Sequence, residues 1–298
     1  YCSYSLEWKG KSAKKMFEEF MYFSSKGVFI LGCFDSSFLT PLKRFEEFAR
    51  LYSEANAPVK WHAWAHASQL QSKDICDLLV KAGCGGITIG IESGDNSILK
   101  NMNKKLNRDQ ALNAIKNLKE AGLFCATYFI IGFPGETEQT AQNTLSFIKE
   151  AQPDLYSIQV FHIRSKNIPV LKNAKQYGLS VEDNGEWSHE TMDSKTALKI
   201  ASNLKADLAM TTNHSACITM SLGGMMYQQF FKISYIDYFR KTIIPIIKEY
   251  ERSLIVNPEI KLYNSDHETS LELSREYSTN AQALLMKEIK NGNIVKSI

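Results

Sequence analysis

No CxxC pair occurs among the six cysteines of this 298-residue sequence, at positions 2, 33, 76, 84, 125 and 217, and that spacing excludes the usual closed zinc site. Six cysteines in so long a chain do not form a disulfide framework either. No apolar run approaches the ~18 residues that a membrane span takes. No leader peptide opens the sequence, so the chain reads as soluble and cytoplasmic, with no membrane partner. Charge of one sign is also missing: 35 Lys plus Arg stand against 32 Asp plus Glu, a formal +3, which gives no footprint for nucleic acid. With 44% hydrophobic and 22% charged residues, disorder and fibrous repeats are excluded. A methionine at position 1 is lacking as well, and the sequence starting at Tyr1 reads as a fragment. The length suits about two domains, or one large α/β barrel with an appendage.

Within that frame, short apolar runs rich in β-branched and aromatic residues alternate with amphipathic stretches, the mark of βα units on a parallel sheet. Five runs predict strands: Val28–Phe34, Val59–His66, Gly86–Ile91, Phe124–Ile131 and Tyr156–Ile163. Helices are expected over Ala13–Ser24, Pro41–Asn56, Ser72–Ala82, Arg108–Ala121 and Glu138–Ala151. Gly27, Gly83 and Gly122 stand just past three of them, where a left-handed residue closes a helix, and Asn107 with Gln110 resembles a capping pair. Such units form either an open doubly wound sheet or a barrel, and local pattern does not separate the two. In both, ligands bind beyond the C-terminal strand ends. After Ile163 the pattern changes to helical period over Asp193–Met210, Tyr227–Leu254 and Ser270–Lys290. The boundary is therefore placed near Ser165, giving a barrel domain over 1–165 and a mainly helical extension over 166–298.

The strand ends carry the polar residues. Cys33-Phe34-Asp35-Ser36-Ser37 follows the first run; Asp35 and Ser36 there suit an amine or hydroxyls, or else a turn in which Asp35 caps the next segment. Gly90-Ile91-Glu92-Ser93-Gly94 ends the third, and a carboxylate at that place suits ribose hydroxyls or an ammonium group, or stays solvated. Ile131-Gly132-Phe133-Pro134-Gly135-Glu136-Thr137 ends the fourth. Gly132 leaves room for a ligand to approach, and Pro134-Gly135 is a tight-turn pair leading into a helix.

Read together, Cys33-Phe34-Asp35, then Gly90 to Gly94 with Ile98-Leu99-Lys100-Asn101-Met102-Asn103-Lys104, then Gly132 to Thr137, resemble the radical SAM enzymes, in particular the branch fused to a cobalamin-binding domain. The resemblance spans about residues 1–165, and Trp187-Ser188-His189-Glu190-Thr191-Met192 is similar to the segment after the barrel in that branch. It implies an α/β fold, a partial (βα)6 TIM-type barrel, with a first loop of CxxxCx(aromatic)C whose three thiolates hold a [4Fe–4S] cluster and leave one iron open. In the family, S-adenosylmethionine chelates that iron, and an electron entering its sulfonium gives a 5′-deoxyadenosyl radical. The cofactors carry the chemistry while the protein positions them. Here Tyr1-Cys2 matches only the end of the motif; the two earlier cysteines and the first strand are absent, as truncation or loss of the cluster would leave them.

Carried over by position, the resemblance makes Cys2 a cluster ligand. Asp35 and Ser36 contact the amino group of S-adenosylmethionine, and Glu92 and Ser93 its ribose or carboxylate. Gly132, Phe133, Pro134 and Gly135 form the turn beside adenine or methionine. Phe161, His162 and Arg164 lie where adenine or substrate is met. It also implies a small-molecule or peptide substrate, an electron donor such as flavodoxin or ferredoxin, and cobalamin as a further cofactor.

Other side chains keep two readings. His62 and His66 share a strand face with Trp64 under period two, so they point into a lumen toward substrate or serve as hydrogen-bonded core histidines. His162 and Arg164 share a face; Arg164 clamps an anion or forms a surface salt bridge. Cys33, Cys76, Cys84 and Cys125 read as inert buried thiols, and Lys104-Lys105 as a solvated approach to a helix. The leading function is a radical SAM enzyme that abstracts hydrogen or, with cobalamin, methylates. The alternatives are a cluster-less barrel acting as a nucleotide-binding or accessory module, and a TIM-barrel enzyme using Glu92 and a histidine as acid and base.

Overall fold

The computed structural model describes residues 10–28, 30–35, 37–163, 168–213, 215–217, 240–241 and 244–256. All five expected strands form: β1 (Ile30–Cys33), β2 (Lys60–Ala65), β3 (Cys84–Glu92), β4 (Phe124–Ile131) and β5 (Leu155–Val160). The helices before and between them are α1 (Ala13–Ser25), which precedes β1, α2 (Leu42–Glu54), α3 (Lys73–Lys81), the short α4 (Asn96–Asn101), α5 (Arg108–Glu120) and α6 (Glu138–Ala151). Their starts are written in the sequence. Ser12 accepts from Lys15 N, Asn107 and Gln110 make a reciprocal capping box, and Thr137 caps α6. Gly27, Gly83 and Gly122 take positive φ at the helix ends, as expected. α4 has no counterpart in the sequence reading, since six residues show too little period; its start is set by Asp95, whose carboxylate accepts from Ser97 N and Ile98 N.

The strands lie in the order β1-β2-β3-β4-β5-β9, every pair parallel, where β9 is Ala216–Cys217. A doubly wound sheet reverses its strand order and takes helices on both faces. Here the order never reverses, and right-handed crossovers therefore stack the helices in one layer, with α1 against α2, α2 against α3, α5 against α6 and α6 against α7 (Ser194–Thr211). The winding is that of a barrel left open among the described residues.

Register sorts the side chains onto two faces. Toward the helices point Trp61, Ala63 and Ala65 of β2, Ile87, Ile89 and Ile91 of β3, and Cys125, Phe129 and Ile131 of β4, all buried. Phe20, Phe38, Phe48 and Trp61 meet edge-on or tilted beneath α1 and α2, the largest aromatic cluster of that layer. The opposite face carries His62, Trp64, Thr88, Gly90, Tyr128, Ser157 and Gln159 in neighbouring register. Trp64, Gly90 and Tyr128 there are half-buried and Gln159 is exposed.

The extension contains more than helices. A 3-10 segment, Pro169–Tyr177, leads into a small antiparallel sheet of β6 (Ser180–Val181), β7 (Trp187–His189) and β8 (Met192–Asp193), strands too short to show a period in sequence. α7 (Ser194–Thr211) follows and packs on β4 and β5. α8 (Ile244–Val256) closes the bottom of the sheet: Lys248 donates to Leu208 O at 2.8 Å and pairs with Glu251, which accepts from Cys217 N at 2.7 Å. Arg240 grips Asp154 at the same end. The expected helix over Tyr227–Leu254 is described only in part, and Ser270–Lys290 lies outside the described residues.

Candidate functional site

The C-terminal ends of β2, β3 and β4 come together around Glu92. This residue ends β3 at φ 77°, where the pairing with β4 slips between Gly90 and Glu92. The slip turns the Glu92 side chain back over Gly90, so that a Cβ at residue 90 would collide with its carboxylate. Lys104 Nζ lies 3.0 Å from Glu92 Oε1, and the two side chains are only 16% and 12% exposed. Lys104 is thus no solvated residue, as the sequence reading had it: α4 carries the chain back so that its ammonium enters the strand mouth. His66, at the end of β2, completes the group. Burial and then the Lys104 charge hold its pKa below the usual imidazole value, while Glu92 opposes them.

Asp35 is exposed two residues past β1, and beside it the Phe34 ring is 79% exposed. Ser93 faces elsewhere. Its hydroxyl is fully buried, accepts from Asp95 N at 3.1 Å and lies 3.3 Å from Thr144 Oγ1, so it fastens the strand end to α6. Ser36, Arg164 and Cys2 lie outside the described residues.

Below the mouth, on the face away from the helices, the Trp64 and Tyr128 rings meet across β3 with centroids 5.0 Å apart and tilted by 40°. Thr88 and Gly90, lying between them in register, leave space for this. Gln159 Nε2 donates to Ser157 Oγ at 2.8 Å beside Tyr128. His62 does face this side, as period two predicts, yet it is 6% exposed with Nε2 2.9 Å from Thr88 Oγ1, and burial pushes its pKa down to about 3. It is a neutral, hydrogen-bonded core histidine. His162 is exposed past β5.

The turn after β4 is built from both halves of the chain. Gly132 has φ 90°, and a Cβ there would stand 2.6 Å from Ala197 Cβ and 2.6 Å from Trp187 Cη2. The close approach read from Gly132 is therefore real, but a protein wall makes it. Phe133, Pro134 and Phe161 are buried as well; Phe133 packs on Phe161, and Phe161 on Trp187. Asn101 Nδ2 donates to Pro134 O at 3.3 Å and lies where a side chain on Gly135 would go. Glu136 is wholly buried and accepts from Gly132 N at 2.5 Å. Burial pushes its pKa up to about 8, against the lowering effect of the Gly132 and Phe133 amides. Lys104 was read as solvated, and Glu136, Trp187 and His189 went unassigned in the sequence reading. Only the quoted 187–192 segment signalled the last two; nothing local marks a carboxylate that becomes buried in a turn.

The strand mouth thus holds one cation, Lys104, against the Glu92 carboxylate, above an aromatic floor of Trp64 and Tyr128. Among the described residues no three His, Cys, Asp or Glu side chains gather. Cys33, Cys76 and Cys217 are pushed up to about 12 by burial, and burial raises Cys84 and Cys125 too, so all five are neutral thiols here. No described helix is long and apolar enough to cross a membrane.

Comparison with known proteins adds to this geometry. The profile of the radical SAM superfamily matches residues 5–148. An uncharacterized methyltransferase of Pyrococcus horikoshii is 28% identical over 159 residues, 52% of this chain and 34% of that protein. A tRNA-2-methylthio-N(6)-dimethylallyladenosine synthase of Alkaliphilus oremlandii is 37% identical over 100 residues, 29% of this chain and 21% of that one. The chain thus spans about a third of one of these relatives and a fifth of the other. In fold it resembles TsrM from Kitasatospora setae, a radical S-adenosylmethionine methyltransferase with cobalamin and a [4Fe-4S] cluster bound (TM-score 0.59, 14% identity, 82% of this chain and 55% of that one). It also resembles the cobalamin-dependent S-adenosylmethionine radical enzyme OxsB (TM-score 0.55, 14% identity, 98% and 53%).

Proposed function

This chain belongs to the radical SAM superfamily through residues 5–148, and on that premise we propose that it seats S-adenosylmethionine across the ends of β1, β3 and β4 for reductive cleavage. The observation that carries the reading is the half-buried Lys104–Glu92 pair at the strand mouth. Glu92 accepts from the ribose hydroxyls, Lys104 holds the methionine carboxylate by a charge-assisted hydrogen bond, and Asp35 faces the amino group. The 132–135 turn forms a rigid wall beside the adenine, and the Trp64–Tyr128 floor with Gln159 receives a small-molecule or peptide substrate. A [4Fe–4S] cluster, when bound, supplies the electron that splits the sulfonium. Cys2 is its proposed ligand. Cobalamin as methyl carrier is supported by the fold shared with TsrM and OxsB, and flavodoxin or ferredoxin serves as electron donor.

The test is anaerobic reconstitution of the full-length protein with iron and sulfide, reduction with dithionite and addition of S-adenosylmethionine. The expected results are brown iron–sulfur absorbance and release of 5′-deoxyadenosine, or of S-adenosylhomocysteine when cobalamin is present. Lys104→Met is expected to raise the Kd for S-adenosylmethionine about tenfold, the equivalent of one charge-assisted hydrogen bond. A cluster-loaded protein giving neither product refutes the reading. Nucleotide binding without any cluster points instead to the accessory module.

A further inference from the structure

We propose that the 187–197 segment is a strap that positions the 132–136 turn, with His189 and Trp187 as its positioning residues; the inference rests on the reading of that turn as one wall of the S-adenosylmethionine site. Three observations converge. His189 Nε2 lies 3.2 Å from Gly132 O, while its Nδ1 accepts from Thr191 N at 3.4 Å, so Nε2 carries the hydrogen and donates to the carbonyl. Trp187 Nε1 donates to Phe161 O at 2.8 Å, tying the strap to the end of β5. The Trp187 and His189 rings stack at 5.2 Å and 7°, so neither moves without the other.

The strap also fills the volume that Gly132 leaves. Trp187 Cη2 and Ala197 Cβ abut its Cα, and on the far side of the same glycine Glu136 takes its N–H. The turn is therefore clamped at both polar atoms of one residue, at its N–H by Glu136 of the turn itself and at its carbonyl from a segment 57 residues later. A wall that must sit at a fixed height beside a ligand requires such a clamp, because sub-ångström placement of binding groups is lost when a supporting shell loosens. The strap needs no contact with the ligand.

The experiment compares His189→Ala, His189→Gln and Trp187→Phe in the full-length reconstituted protein. Amide exchange and S-adenosylmethionine binding are the primary readouts, with saturation kinetics as a third. The loss of one hydrogen bond predicts a three- to tenfold rise in Kd for His189→Ala (~0.7–1.4 kcal/mol), with product release at saturating S-adenosylmethionine unchanged. Exchange should quicken at 133–137 and stay at the parent rate along 86–91. His189→Gln, whose amide retains a donor, should restore both. Trp187→Phe keeps an aromatic ring to stack on His189 but removes both the tie to Phe161 and the Cη2 contact at Gly132, so it should give a change of the same kind. The proposal is overturned if His189→Ala binds S-adenosylmethionine like the parent, if exchange quickens equally in β3, or if glutamine fails to rescue. A parent protein that binds no S-adenosylmethionine instead brings down the proposed function, while the exchange pattern still decides whether the strap holds the turn.

Discussion

Substituting Gly132 by alanine isolates the contact between the two halves of the chain. Alanine at φ 90° carries a backbone cost of about 1 kcal/mol, as any L-residue does in the left-handed region. Its methyl would also stand 2.6 Å from both Ala197 Cβ and Trp187 Cη2, and forcing an extra methyl into a packed wall adds about 1–3 kcal/mol. Gly122 supplies the control: its φ is 76°, and nothing lies within 4 Å of an added Cβ, so Gly122→Ala bears the backbone cost alone. Urea unfolding followed by far-UV circular dichroism should therefore place Gly132→Ala about 1–3 kcal/mol below Gly122→Ala, with equal slopes against denaturant. That gap is a sizeable part of a domain stability of about 5–15 kcal/mol. Equal losses in the two variants would show that the strap does not press on the turn in solution, and the clamp would fall with it.

Further outcomes follow from the buried titratable groups. Glu136 has its pKa raised to about 8 in the folded state against the ordinary carboxyl value unfolded, so the folded protein holds the extra proton and stability falls as pH rises from about 5 to 8. Glu136→Gln should flatten that slope in unfolding measured across the range. His62 is depressed to about 3, so its share of stability is present above about pH 6.5 and is lost as pH falls below it. Thr88→Val, which removes the hydroxyl at 2.9 Å, should destabilise by about 1 kcal/mol in the same denaturation assay. Cys84 and Cys125, buried as neutral thiols, should resist iodoacetamide in the native protein at pH 8 and react after unfolding, as read by peptide mass; native labelling of either would contradict the packing.

How far the fold was legible follows from which signals are local. The β-branched runs, the Asn107–Gln110 capping pair and the glycines past the helix ends depend only on neighbours, and they led to elements within a few residues of those observed. The choice between barrel and doubly wound winding did not, because crossover direction leaves no mark on a single βα unit. Likewise Glu92 was legible as a strand-end carboxylate, whereas Lys104 was not legible as its partner. Twelve residues and the unrecognised turn of α4 separate them, and a lysine beside another lysine looks solvated until that helix folds. Ser93 misled for the opposite reason: its hydroxyl is at the right strand end but is claimed by Asp95 N and Thr144 of α6. The antiparallel sheet at 180–193 escaped because strands of two or three residues carry no period.

The backbone at Glu92 bears on how this position can drift. A residue with a branched-off carboxylate held at φ 77° sits where glycine would rest about 1–2 kcal/mol lower, and a glycine there would abolish the ion pair with Lys104. Folding and ligand capture thus pull the same codon in opposite directions. A lineage released from the need to hold a nucleoside at this mouth has a short downhill route to a sturdier, emptier sheet, whereas one still under that need keeps the strain.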